Sequence, residues 1–200
     1  MNILIIGANG TIGKRVTAKF AERHNITTVG RNGADITADI ANPDSIKTMF
    51  ESIDPQDAVI CIAGEAKWDN FKDLSEEDFY IGIKSKMMGQ VNLVRIGKDY
   101  VNPGASFTLS TGVLADDPVV MTTSAAMVNG AIHSFAKAVA LELENSQRIN
   151  VVCSGLVEDS AEKYADYFPG HDPVPMPKVV NAYVKSVMGK TSGDIIRIHA

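Results

Sequence analysis

The residues best suited to chemistry stand at the ends of apolar runs. Gly7-Ala8-Asn9-Gly10-Thr11-Ile12-Gly13 follows Ile3-Leu4-Ile5-Ile6. Glycines let the chain turn tightly and let a pyrophosphate approach, and a helix behind them offers free N–H groups and positive potential. Gly7, Asn9, Gly10, Thr11, Ile12 and Gly13 are therefore candidate phosphate-binding residues. The alternative is a tight strand-to-helix turn without a ligand. Arg31 stands about 20 residues beyond the loop, where an NAD site carries an acid that accepts from the ribose hydroxyls. A guanidinium pairs with a 2′-phosphate and stacks on adenine, so Arg31 favours NADP over NAD. Its bland alternative is a solvated charge in a turn. Ala63-Gly64 and Ser110-Thr111-Gly112 end two more apolar runs, and the second brings two hydroxyls. Tyr80 and Lys84 are spaced to share one helix face.

These residues need a scaffold that gathers strand ends. Strand and helix patterns alternate nearly throughout, which argues for a parallel sheet covered on both faces. Ile3–Ile6, Ile26–Val29, Gly33–Thr37, Asp57–Ile62, Ser106–Leu109, Ile149–Cys153 and Asp194–Ile198 read as strands. Lys14–Arg23, Asp44–Glu51 (with Asn42 as N-cap and Pro43 opening it), 75–100, 122–143, 161–168 and 178–188 read as helices. Ser75, followed by Glu76, Glu77 and Asp78, marks the start of the third. Four prolines between Pro169 and Pro177 predict an ordered loop or lid. In open parallel sheets, ligands sit beyond the carboxyl ends of the strands, which is where the candidate residues fall.

Composition limits the function classes. Two hundred residues suit one domain spanning 1–200, and a net charge of −5 gives no electrostatic footprint for nucleic acid. No apolar run approaches the roughly 20 residues of a membrane span. Met1-Asn2-Ile3 runs straight into a strand, so a cytoplasmic protein without a signal peptide is expected. Cys61 and Cys153 both fall in apolar runs and read as reduced core thiols. Neither has metal-ligand spacing, and no metal site is expected.

The ordered set of motifs resembles the short-chain dehydrogenase/reductase family over essentially the full length. Gly7-x-x-Gly10-x-x-Gly13 resembles the glycine loop of its less typical branches, and Ala38-Asp39-Ile40 its Asp-Val pair, whose Asp touches the adenine amino group. Ala63-Gly64 resembles the end of Asn-Ala-Gly, and Ala140 to Leu143 with Arg148 to Val151 the family's helix end and sixth strand. Ser154-Gly155 stands where Pro-Gly is usual. The resemblance implies a Rossmann-type doubly wound α/β fold, a parallel sheet of about seven strands in order 3-2-1-4-5-6-7 with helices on both faces. It implies hydride transfer between a nicotinamide and a small carbonyl or alcohol. It adds Asp39, Ile40, Ala63 and Gly64 to the cofactor-binding candidates. It also implies a homodimer or homotetramer paired through the two long helices.

The family's catalytic pattern is incomplete here. The family uses a Tyr as acid/base, a Lys four residues later, a Ser that positions the carbonyl, and an Asn on the preceding helix. The matching positions are Ala125 for Tyr, Asn129 for Lys, Ser110 or Thr111 for Ser, and the neighbourhood of Lys84 for Asn. Lys84 could send its ammonium towards the vacated lysine site, or be a surface lysine. Ser110, Thr111, Lys84 and Ser124 are the catalytic candidates. His133 and His171 read as a helix-surface and a loop histidine, and Trp68 and Phe71 as pocket wall or loop packing. Two functions follow: an NADPH-dependent reductase with an altered proton donor, or a non-catalytic NADP-binding sensor.

Overall fold

A computed structural model describes residues 1–199. Seven strands, β1 Asn2–Ile6, β2 Asn25–Gly30, β3 Ile36–Thr37, β4 Ala58–Cys61, β5 Ser106–Gly112, β6 Arg148–Ser154 and β7 Ile195–Ile198, form one sheet. Their order is β3-β2-β1-β4-β5-β6-β7, and every pairing is parallel. Helices α1 Thr11–Ala21, α2 Pro43–Glu51, α3 Glu76–Gly82, α4 Gly89–Gly97, α5 Thr123–Val139, α6 Glu158–Tyr164 and α7 Met176–Met188 surround it. This is the doubly wound, Rossmann-type order expected from the sequence.

The period of two along each strand builds two cores. Leu4, Ile6, Val59, Cys61, Phe107, Leu109, Val151 and Cys153 face α2, α4 and α5 through Ile46, Phe50, Leu93, Val94, Ile132 and Ala136. Ile3, Ile5, Ala58, Ile60, Val152 and Ile196 face α1 and α7 through Val16, Phe20, Val179 and Tyr183. Ile3, Leu4, Ile5 and Ile6 are all buried, each worth roughly 1.5–3 kcal/mol of removed apolar surface. Strands buried on both faces therefore read as continuous apolar runs. Both cysteines are buried free thiols.

Local signals set most boundaries. Asn42 accepts from the Asp44 N–H at 2.9 Å with Pro43 in the first turn. Ser75 and Asp78 form a reciprocal capping box at α3. Several boundaries differ from those expected, among them β3, which is only Ile36–Thr37, α5, which ends at Val139, and α6, which starts at Glu158. Helix α1 begins at Thr11 rather than Lys14, because Gly10 is extended and serves as its N-cap. Strand β5 runs on to Gly112, because β6 continues to pair with it through Ser154. The helix expected over 75–100 is interrupted by a π-helical turn, Ile83–Met88, between α3 and α4. The proline-rich segment is shortened: Val174 bridges to Val157, and α7 starts at Met176 with Pro177 in its first turn.

Candidate active site

A groove of about 350 Å³ opens beyond the carboxyl ends of β1, β2 and β4. It is lined by Gly7, Asn9, Gly10, Arg31, Asp39, Ile40, Ala63, Gly64 and Ser85, among others. Gly7 has φ +85°, and a Cβ there would lie 2.4 Å from the Ile62 carbonyl oxygen. A Cβ on Gly13 would lie 2.1 Å from the Gly7 oxygen, so only glycine lets α1 start against this loop. No side chain caps α1, and no acid lies in its first turn. Its leading N–H groups and the positive end of its dipole are thus left for an anion. This cradle fits a dinucleotide phosphate.

The groove's rim is ordered by polar side chains. Asn9 Nδ2 donates to the Gly33 carbonyl at 2.7 Å and the Asn32 carbonyl at 3.2 Å, tying the loop after β2 to the glycine loop. Arg31 reaches Glu65 across the mouth at 3.4 Å, both side chains exposed. Asp39 Oδ1 accepts from the Ala41 N–H at 3.0 Å, while the Asp39 N–H donates to Ser45 Oγ. Ile40 packs within about 3 Å of where a Cβ on Gly89 would lie. Thr11 and Ile12 open α1, and neither lines the groove with its side chain.

The four catalytic candidates are not brought together. Neighbours in β5 point to opposite faces of the sheet, so Ser110 and Thr111 separate. Ser110 Oγ donates to the Cys61 carbonyl and accepts from the Tyr183 hydroxyl of α7 at 2.8 Å. Gln90 of α4, fully buried, accepts from the Ser110 N–H and donates to the Ser110 carbonyl. It occupies the gap beside β5 that β4 leaves where it ends. Thr111 faces α5, and its Oγ1 lies 2.8 Å from His133 Nε2. His133 is buried, not on the helix surface as expected, and burial pushes its pKa down. Ser124 is fully buried where α5 crosses α3, with its Oγ 3.4 Å from where a Cβ on Gly82 would lie. Lys84 is exposed, its Nζ 5.7 Å from the centre of the Tyr80 ring.

Lys86, which is not among the sequence candidates, is half-buried instead. Both lysines lie in the π-helical turn, Lys84 exposed and Lys86 half-buried. Ser85 Oγ accepts from the Glu65 N–H at 3.2 Å, and Lys86 packs against Gly64. Gly64 has φ +114°, and a Cβ there would lie 2.7 Å from Lys86 Cα. Burial lowers the Lys86 pKa, and the neighbouring Cys61 and Cys153 oppose that shift only when ionised. Burial in turn pushes both thiols up to about 11. No periodicity marks such a turn beforehand; π turns are short, rare and frequent at functional sites.

Comparison with known proteins places this geometry. A family model described as enoyl-(acyl carrier protein) reductase matches residues 2–174. The protein lin1944 from Listeria innocua is 41% identical, each chain covering 100% of the other, with a TM-score of 0.98. The chain belongs to the short-chain dehydrogenase/reductase family. No curated protein matches the sequence. A small-chain dehydrogenase solved in complex with NADPH shares the fold at 22% identity and TM-score 0.87, covering 100% of this chain and 96% of its own. The aldohexose dehydrogenase of Thermoplasma acidophilum shares it at 16% identity and TM-score 0.88, with 98% and 91% covered.

Within this short-chain dehydrogenase/reductase, the positions expected to carry Tyr and Lys are buried. Ala125 lies in an apolar cluster with Val113, Leu114, Leu156 and Phe168, against which Trp68 and Tyr164 pack. The Trp68 ring centre is 5.8 Å from that of Tyr164 and 6.3 Å from that of Phe168. Phe71, by contrast, is exposed and walls nothing. Asn129 is buried, and its Oδ1 has no partner among the described residues. Farther along the strand ends, Arg197 holds both oxygens of Asp116 at 2.8 and 3.0 Å. His171 of the proline-rich loop pairs with Asp117 at 3.1 Å.

Proposed function

We propose that this chain is an NADP(H)-dependent oxidoreductase that interconverts a small carbonyl compound and its alcohol. The observation that carries the proposal is the groove, in which an uncapped helix N-terminus and Arg31 face one cavity. In this reading, Gly7, Gly10, Thr11, Ile12 and Gly13 hold the pyrophosphate, and Asn9 holds the loop that presents Arg31. Arg31 takes the 2′-phosphate, Asp39 and Ile40 take the adenine, and Ala63-Gly64 take the next ribose. The NADPH complex of a protein with the same fold supports a nicotinamide cofactor in such a groove. When bound, that group supplies or accepts the hydride. The chain's own residues supply orientation, exclusion of water and the proton.

Tyr80, Ile81 and Met127 leave apolar side chains exposed on the helices through which the family pairs, and a homodimer or homotetramer accords with that. A non-catalytic NADP sensor remains the second reading, favoured by the loss of Tyr and Lys at Ala125 and Asn129. Titration with NADPH and NADH, followed by a panel of aldehydes, ketones, quinones and enones, separates the two. Oxidation of NADPH by any member, with NADPH bound more tightly than NADH, supports the reductase. Tight binding without turnover supports the sensor, and absence of binding overturns both.

A further inference from the structure

Two polar groups near the carboxyl ends of β4, β5 and β6, one buried and one half-buried, have no bonded partner among the described residues. One is the Asn129 amide oxygen on α5, unpartnered among the described residues. The other is Lys86, which enters from the π-helical turn on the opposite wall. We propose that Lys86 is the proton donor of this site, giving an N–H proton to the oxygen of a carbonyl substrate. The assignment rests on the dinucleotide-dependent reaction proposed above.

Three features position the ammonium. Ser85 and Lys86 together seat the loop after β4, Ser85 by accepting the Glu65 N–H and Lys86 by packing on Gly64. Gly64 leaves the room that the lysine stem occupies, since a Cβ would meet Lys86 Cα, Cβ and Cγ at 2.7, 2.9 and 3.0 Å. From there the side chain comes near the thiols of Cys61, the last residue of β4, and Cys153, next to last in β6. Thr111 stands on the strand between them. Asn129 lies four residues before His133, hence on the same face of α5 and one turn nearer the strand ends. An unpaired buried amide oxygen costs about 1–3 kcal/mol unless something donates to it, and an ammonium or its water is suited to that. The positive charge that the family draws from α5 is thus supplied from the facing wall.

The step balances. The carbonyl π bond breaks, and its electron pair takes a proton from Nζ to form the O–H bond. The C–H bond forms with the hydride of the dihydronicotinamide, which is oxidised. Lys86, left as a neutral amine, regains a proton from water. Burial lowers the pKa of the ammonium, which moves it towards neutrality, where a general acid works best. The titratable groups that act on it are Cys61 on β4 and Cys153 on β6.

Competitive acetylation with trace acetic anhydride, read by peptide mass spectrometry, tests this on the wild-type protein without a substrate. Lys86 should acetylate at lower pH than Lys84. Saturating NADP⁺ should slow Lys86 at least about fivefold and leave Lys84 unchanged. In turnover with a panel carbonyl, Lys86→Met should keep NADPH affinity within about threefold and lose about 10²-fold or more in kcat. NADPH binding with unprotected Lys86, or undiminished kcat in Lys86→Met, overturns this inference alone. Failure of the wild type to bind NADPH overturns it together with the proposed function.

Discussion

Removing the Arg31 guanidinium tests cofactor choice most directly. Arg31 is exposed and 3.4 Å from Glu65, so its environment is close to bulk water. Opposite unit charges about 4 Å apart there attract by about 1 kcal/mol. A phosphate monoester carries close to two charges, so its attraction to Arg31 is about 2 kcal/mol. Binding must first release Glu65, and such exposed pairs are worth about 0–1 kcal/mol. The net is about 1–2 kcal/mol, a factor of about 5 to 30 in affinity. Arg31→Ala should therefore weaken NADPH by that factor and leave NADH nearly unchanged. Glu65→Gln should tighten NADPH about twofold to fivefold, because no carboxylate then competes. Both differences should shrink as salt rises, since screening shortens to about 3 Å at 1 M. Titration of nicotinamide fluorescence at two salt concentrations measures all of this. Equal changes for NADPH and NADH in Arg31→Ala would refute the assignment of Arg31 to the 2′-phosphate.

Other expectations address the glycine loop, the strand-end pair and the acid limit. Gly13→Ala puts a methyl 2.1 Å from the Gly7 oxygen, so the loop must shift. A loss of about 3 kcal/mol in urea unfolding, with NADPH binding abolished, is expected; wild-type behaviour would show that the cradle yields cheaply. Thr111→Val keeps the volume but strips His133 Nε2 of its partner, at an expected 1–3 kcal/mol; an unchanged urea midpoint would mean that the bond contributes nothing. Stability should also fall in acid, in two limbs. His133 is buried with its pKa lowered from 6.5, so the unfolded chain takes up its proton first and stability declines as pH falls below about 6.5. Asp57 is held below 3.8 by the Asn2 N–H and Asn102, both at 2.8 Å, so its contribution is present above about pH 4 and lost below. Asp57→Asn should reduce only the second limb, to which Asp35, Asp78 and Asp116 also contribute, in unfolding curves taken from pH 7 to 3.

Much of the molecule follows from local chemistry that a sequence displays. Apolar runs of four to six residues, buried on both faces, declare parallel strands. Gly7, Gly10 and Gly13 declare a tight turn into a helix, since a Cβ at Gly7 or Gly13 would collide with backbone. Asn42 and Ser75 declare helix starts through the bonds that their side chains make. These signals involve residues within a few positions of each other, and the strand order followed from the family pattern they compose.

The candidate catalytic set depended on distant partners, and there the sequence was a poor guide. Ser110 and Thr111 are adjacent hydroxyls, yet Tyr183, 73 residues on, engages one, and His133 on α5 engages the other. Which face of β5 meets which helix is settled only when α5 and α7 dock. Lys84 and Lys86 look alike in sequence. A π-helical turn, held by Ser85 on the loop after β4 and by Lys86 against a glycine with positive φ, leaves the first on the surface and the second half-buried. The sequence by itself determined the glycine cradle, the alternating strands and the scaffold that gathers their ends. Only the tertiary structure decided which lysine packs beside those ends, because the turn that selects it is held by contacts of Ser85 and Lys86 with the loop after β4, about 20 residues away in sequence.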